Sequence, residues 1–107
     1  MGGRYRDLLE IEQVEAQTRN EVGDLVGGNP IWVTLSKCRE EPAKAGAVLL
    51  TVNAKAIEYS SNIFLPKHSP NVPLNARVRV LSEAGEVQVV GSVLRYKKYQ
   101  HYAKIWV

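Results

Sequence analysis

The chain has 107 residues, 45% hydrophobic and 23% charged, with eight glycines, five prolines, one cysteine and a formal net charge of +3. That is the size and balance of one globular domain spanning residues 1–107, and it excludes a disordered tail, a collagen-like repeat, a coiled coil and a disulfide framework. No apolar run approaches the roughly 18–20 residues that cross a bilayer, and the opening MGGRYRDLLEIEQ lacks the apolar middle of a signal peptide. The expectation is a cytoplasmic protein with no membrane association.

The charge is uneven: residues 1–28 sum to −3, residues 29–76 to +2 and residues 77–107 to +4. An acidic N-terminal segment thus shares the chain with a basic C-terminal third. Either the two face one another, or the basic end is an exposed binding surface.

Taken in chain order, the first predicted element is an amphipathic helix over residues 6–22. Leu8, Ile11, Val14, Thr18 and Val22 recur at three- and four-residue spacing, Asp7 is placed to cap the start, and Gly23 to end it in a left-handed conformation. Leu8, Ile11, Val14 and Val22 then form a candidate partner or dimer face. Val26-Gly27-Gly28-Asn29-Pro30 breaks the helix, and the period changes from 3.6 to 2. Ile31 to Ser36 reads as a strand, residues 37–46 as a charged loop and Ala47 to Val52 as an apolar strand. Ala54 to Tyr59 and Ile63-Phe64-Leu65 are shorter ones.

Residues 66–76 hold three prolines and read as an extended loop. Arg77 to Leu81 alternates, Ser82-Glu83-Ala84-Gly85 is a hairpin turn, and Glu86 to Tyr96 is a long strand in which Gly91 suggests a bulge or bend. A polar turn over residues 97–101 leads to a last strand, Tyr102 to Val107. The sum is a mainly β fold: a small antiparallel β-barrel of five to seven strands over residues 29–107, behind one N-terminal helix.

Few chemistries are supported. Cys38 has no second thiol, and His68 and His101 lack metal-ligand spacing, so no metal, cofactor or catalytic residue is assigned. A thiol nucleophile at Cys38 is the enzymatic alternative. One constellation carries binding chemistry: residues 95–104 hold four cations and three tyrosines. Cations contact phosphates and tyrosine rings stack on bases. In the final hairpin, alternation places Tyr102, Lys104 and Trp106 on one face, which Arg77, Arg79 and Arg95 extend. Arg77, Arg79, Arg95, Lys97, Lys98, Tyr99, Tyr102 and Lys104 are therefore the candidate ligand or nucleic-acid surface. The bland reading is a solvated edge hairpin whose lysines prevent aggregation.

From residue 29 onward the order of features resembles a PilZ-type barrel, the family that often binds cyclic di-GMP. Ile31 to Ser36 stands as its first strand, Leu49 to Tyr59 where its Asp/Asn-x-Ser-x-x-Gly turn falls, and Val72 to Val80 as its strand entry. Val87 to Leu94 and Tyr102 to Val107 stand as the closing pair. Asn53 matches the first motif position, but Lys55 replaces the Ser, Glu58 replaces the Gly, and no Arg-x-x-x-Arg occurs. The resemblance therefore implies a degenerate member that has lost cyclic di-GMP and acts through an unknown protein partner or self-association. The expected function is a non-enzymatic interaction module; a single-stranded nucleic-acid-binding barrel is the alternative.

Overall fold

The segment read as a helix is a strand, and the reason is visible in its own alternation. Leu9 and Ile11 are buried, while Glu10 and Glu12 point to the other side of β1 (Asp7–Val14). The computed structural model describes residues 5–14, 18–50 and 55–107. Among these there is no helix, hence none long and apolar enough to cross a membrane. The three-residue spacing of Leu8, Ile11 and Val14 coincides with a period of two at Leu9 and Ile11. Tertiary pairing decides between them, because β1 is hydrogen-bonded to a strand on each side. Gly23 does take positive φ (87°), but in the turn joining β2 (Thr18–Arg19) to β3 (Leu25–Val26).

The other strands are β4 (Pro30–Pro42), β5 (Val48–Leu50), β6 (Ala56–Glu58), β7 (Ser61–Pro66), β8 (Arg77–Leu81), β9 (Val87–Ser92), β10 (Arg95–Lys98) and β11 (Tyr102–Trp106). Seven form one antiparallel sheet in the order β10-β11-β7-β4-β1-β8-β9; β2–β3 and β5–β6 are separate hairpins. The radius of gyration is 16.2 Å, against about 13 Å for a compact chain of this length.

The expected closed barrel is not formed: no ladder joins the sheet's outer strands, β9 and β10. The sheet instead curls around a core of Leu9, Ile11, Cys38, Ile63, Leu65, Val78, Val80, Val93, Ala103 and Ile105. Two irregularities shape the curl. β4, of which the sequence reading assigned residues 37–42 to a loop, is thirteen residues long. Its register against β1 slips by one residue between Leu9 and Glu10, leaving Leu35 as the extra residue. Val33 therefore faces the core before the slip and Cys38 after it. The strand predicted over residues 86–96 is broken into β9 and β10 at Val93–Leu94. Val93 N–H donates to Ala76 C=O (2.9 Å) on one side, and Leu94 N–H to Trp106 C=O (2.8 Å) on the other. Gly91, expected at a bend, is a regular partner of Val78; a Cβ there would meet Val107 at 3.5 Å.

The acidic segment and part of the basic one do face one another. Glu10 lies opposite Arg79 on the outer face, and Arg79 Nε donates to Glu10 Oε1 at 2.6 Å; Arg77 Nε stands 3.6 Å from Glu12 Oε2. The Arg79 guanidinium also lies 4.5 Å from the centre of the Trp32 ring. Side-chain exposure separates the two pairs: 26% and 13% for Arg79 and Glu10, 55% and 30% for Arg77 and Glu12. Arg79→Ala is expected to cost about 1–3 kcal/mol, because it strands a shielded carboxylate, and Arg77→Ala less than about 1 kcal/mol. Urea denaturation of the two variants checks the contrast; equal losses would refute it.

Candidate functional site

The outer face of the sheet's other half is built from β10, β11, β7 and the end of β4. Alternation in β11 puts Ala103 and Ile105 in the core and Tyr102, Lys104 and Trp106 on the opposite face, as the sequence indicated, where Trp106 is itself buried at 8% exposure. Registers then align one residue from each strand across the sheet: Lys97 opposite Lys104, Lys104 opposite Phe64, and Phe64 opposite Arg39. At about 4.8 Å between strands, this row of three cations and one aromatic ring spans roughly 14 Å. A second row holds Arg95, Trp106, Asn62 and Glu41.

The rings run beside the first row. Tyr99 and Tyr102 are stacked, centroids 4.8 Å apart and planes 24° from parallel, and Phe64 is tilted against Tyr102 at 5.8 Å. Tyr99 N–H donates to Tyr102 C=O (2.7 Å), which closes the turn and holds the stack. Tyr5, Arg39, Phe64 and Tyr102 enclose a shallow pocket of about 200 Å³.

Like charges directly opposite on neighbouring strands repel, so Lys97 and Lys104 need compensation. It comes from the rings: Lys97 Nζ lies 5.1 Å from the Tyr99 centroid, and Lys104 Nζ lies 4.4 Å from Trp106 and 5.4 Å from Phe64. Arg39 covers the same Phe64 at 4.9 Å, and Arg95 covers Trp106 at 5.2 Å. Burial lowers the Lys104 pKa; Glu41 opposes the shift and Arg95 adds to it. Glu41 is the acidic group of this face among the described residues, and its carboxylate stands 3.9 Å from Arg39 Nε, which has no hydrogen bond among them. An anion laid along the row would meet cations now resting on aromatic rings.

The structure divides the predicted surface. Arg95, Lys97, Tyr99, Tyr102 and Lys104 come together. Arg77 and Arg79 do not belong: they lie on β8 and are taken by Glu12 and Glu10. Lys98 is exposed but pairs with Ala103, one step out of phase with the row. Arg39 and Phe64 are absent from the predicted surface. The one-residue slip at Leu35 reverses the alternation set by Trp32 and Thr34, so that Arg39 rather than Cys38 takes the outer face, and no local pattern in residues 37–46 shows it.

The predicted partner face is dispersed. Ile11 is in the core, Leu8 is 37% exposed on β1, Val14 is 69% exposed at its end, and Val22 is 79% exposed in the β2–β3 turn. That grouping depended on helical periodicity and falls with it. Of the PilZ-like turn residues, Lys55 and Glu58 are exposed and Asn53 lies outside the described residues. His68 and His101 are both exposed, and no cluster of potential metal ligands occurs among the described residues.

A second cleft, about 640 Å³, is lined chiefly by Leu49, Ile57, Val72, Leu74, Leu94 and Tyr96. Tyr96 also donates its hydroxyl hydrogen to Asn71 Oδ1 at 3.2 Å. Searches of family models, curated proteins and solved structures find no match to this chain.

Cys38 is fully buried, and burial, with Asp7 and Glu40 nearby, pushes its thiol pKa up to about 12. A thiol with so high a pKa stays protonated at neutral pH and is a poor nucleophile. Alkylation by a maleimide at pH 7.5 is expected to be slow in the folded protein and rapid in denaturant. Rapid stoichiometric labelling of folded protein would contradict this placement.

Proposed function

We propose that the chain is a single-stranded nucleic-acid-binding module and that the outer face of β10, β11, β7 and the end of β4 is its binding surface. The row Lys97–Lys104–Phe64–Arg39, flanked by stacked Tyr99 and Tyr102, carries the reading. It combines the two groups that sequence-tolerant binding of a single strand needs: cations for the phosphates and ring faces for the bases.

A flexible single strand suits this face better than a duplex. Its unstacked bases can reach the rings while its backbone follows the lysines. On binding, the lysine and arginine heads leave the rings for phosphate oxygens, and bases take the vacated ring faces. The stabilisation lost at each ring is then replaced by a base. The charge pattern assists: with Arg77 and Arg79 held by glutamates, the less compensated positive charge lies on this side of the sheet.

Fluorescence anisotropy with a labelled oligonucleotide of about twelve nucleotides tests this. Four contacting cations, Arg39, Arg95, Lys97 and Lys104, give a log–log salt slope of about −3, or roughly fiftyfold weaker binding between 50 and 200 mM salt. Lys97→Ala should lower the slope by about 0.7. Tyr102→Ala should cost about 1–3 kcal/mol with the slope unchanged, and Arg77→Ala should do neither. Salt-independent binding, or equal losses in Arg77→Ala and Lys97→Ala, would sink the proposal.

A further inference from the structure

The two outer strands of the sheet differ in how their free edges are guarded. β10 carries Arg95, Lys97 and Lys98, the charged residues that deter edge-to-edge pairing. β9, Val-Gln-Val-Val-Gly-Ser, has no charged residue and no proline, and Val87 and Val90 are 50% and 42% exposed.

Its hydrogen bonding can be followed from both ends. Ser82 N–H donates to Glu86 C=O (2.8 Å) at one end of the β8–β9 hairpin, and Val93 N–H to Ala76 C=O (2.9 Å) at the other. Alternation between them, with Gln88 as the extra residue, makes Val80–Val89 and Val78–Gly91 the bonded pairs. Val90 and Ser92 therefore direct their N–H and C=O groups away from β8. That is the side on which Leu94 reaches Trp106 of β11. Beyond that bond, no strand among the described residues pairs with β9 on this side.

We propose that this edge is filled by the β9 strand of a second copy of the chain, paired antiparallel about a two-fold axis. The charges at its ends select a second copy over an unrelated strand. Glu83 and Glu86 precede β9, and at its far end Ser92 lies opposite Arg77 of β8. The Arg77 side chain stands 3.6 Å from Glu12 but is 55% exposed and within reach of a second carboxylate. Antiparallel pairing centred on Gln88–Val90 sets the acidic turn of each copy beside the Arg77 end of the other. The uncharged valine-rich centre meets itself without repulsion. Six residues of edge are far less than a standard interface, so the dimer is weak and concentration-dependent.

Sedimentation equilibrium of the full chain, without nucleic acid, from about 10 to 500 µM tests this. The mass should rise from monomer towards dimer. Val90→Pro removes one outward N–H while leaving the β8 ladder, and should stay monomeric with an unchanged far-UV spectrum and thermal midpoint. Glu86→Lys, an exposed position outside the strands, should dissociate the dimer about tenfold more readily. A wild-type chain monomeric throughout, a dimer surviving Val90→Pro, or an unchanged dissociation constant in Glu86→Lys would each overturn the proposal.

Discussion

The Glu10 carboxylate, 13% exposed, takes the Arg79 guanidinium at 2.6 Å between two strands about 70 residues apart in sequence. The pair belongs to β1, which is hydrogen-bonded to β4 on one side and β8 on the other, so β1 joins the two halves of the sheet. Were residues 7–14 helical, β4 and β8 would each lose a neighbour, Leu9 and Ile11 would leave the core, and Arg77 and Arg79 would be uncompensated. A charge-assisted bond in a partly shielded place fixes register as well as adding stability, because a one-residue slip would turn Glu10 into the core.

The same pairing sorts the charge of the whole molecule. Glu10 and Glu12 take up the positive charge of β8, and the cations of β10, β11 and β4 remain on the far side with one carboxylate, Glu41, close to Arg39. Their repulsion is held in check by Phe64, Tyr99 and Trp106. The aromatic residues thus hold the cations in the free protein, and on the proposed function the same ring faces are the ones offered to bases.

The break at Val93–Leu94 governs how the halves meet. Val93 bonds towards Ala76 and Leu94 towards Trp106, so one continuous piece of chain serves β8 first and β11 next. This carries Arg95 and Lys97 onto the basic face, and it leaves the outer side of β9 bare just past the point where β11 departs.

The later strands were legible because they are local. Arg77 to Leu81, the turn at Gly85 and the hairpin from Arg95 to Trp106 pair with near neighbours, and their alternation has no competing period. Tyr102, Lys104 and Trp106 could be placed on one face for that reason. The N-terminal segment was not legible: DLLEIEQV satisfies both a helical and a strand period, and the strands that choose between them lie 24 and about 70 residues away. By itself the sequence determined a β-rich chain with a basic, tyrosine-rich final hairpin, because composition and period-two alternation are properties of short stretches. Tertiary structure alone decided that Arg79 is spent on Glu10, that Arg39 and Phe64 complete the basic row, and that no described strand pairs with the outer edge of β9. Strand order and register arise from pairings between distant segments, which no local pattern records.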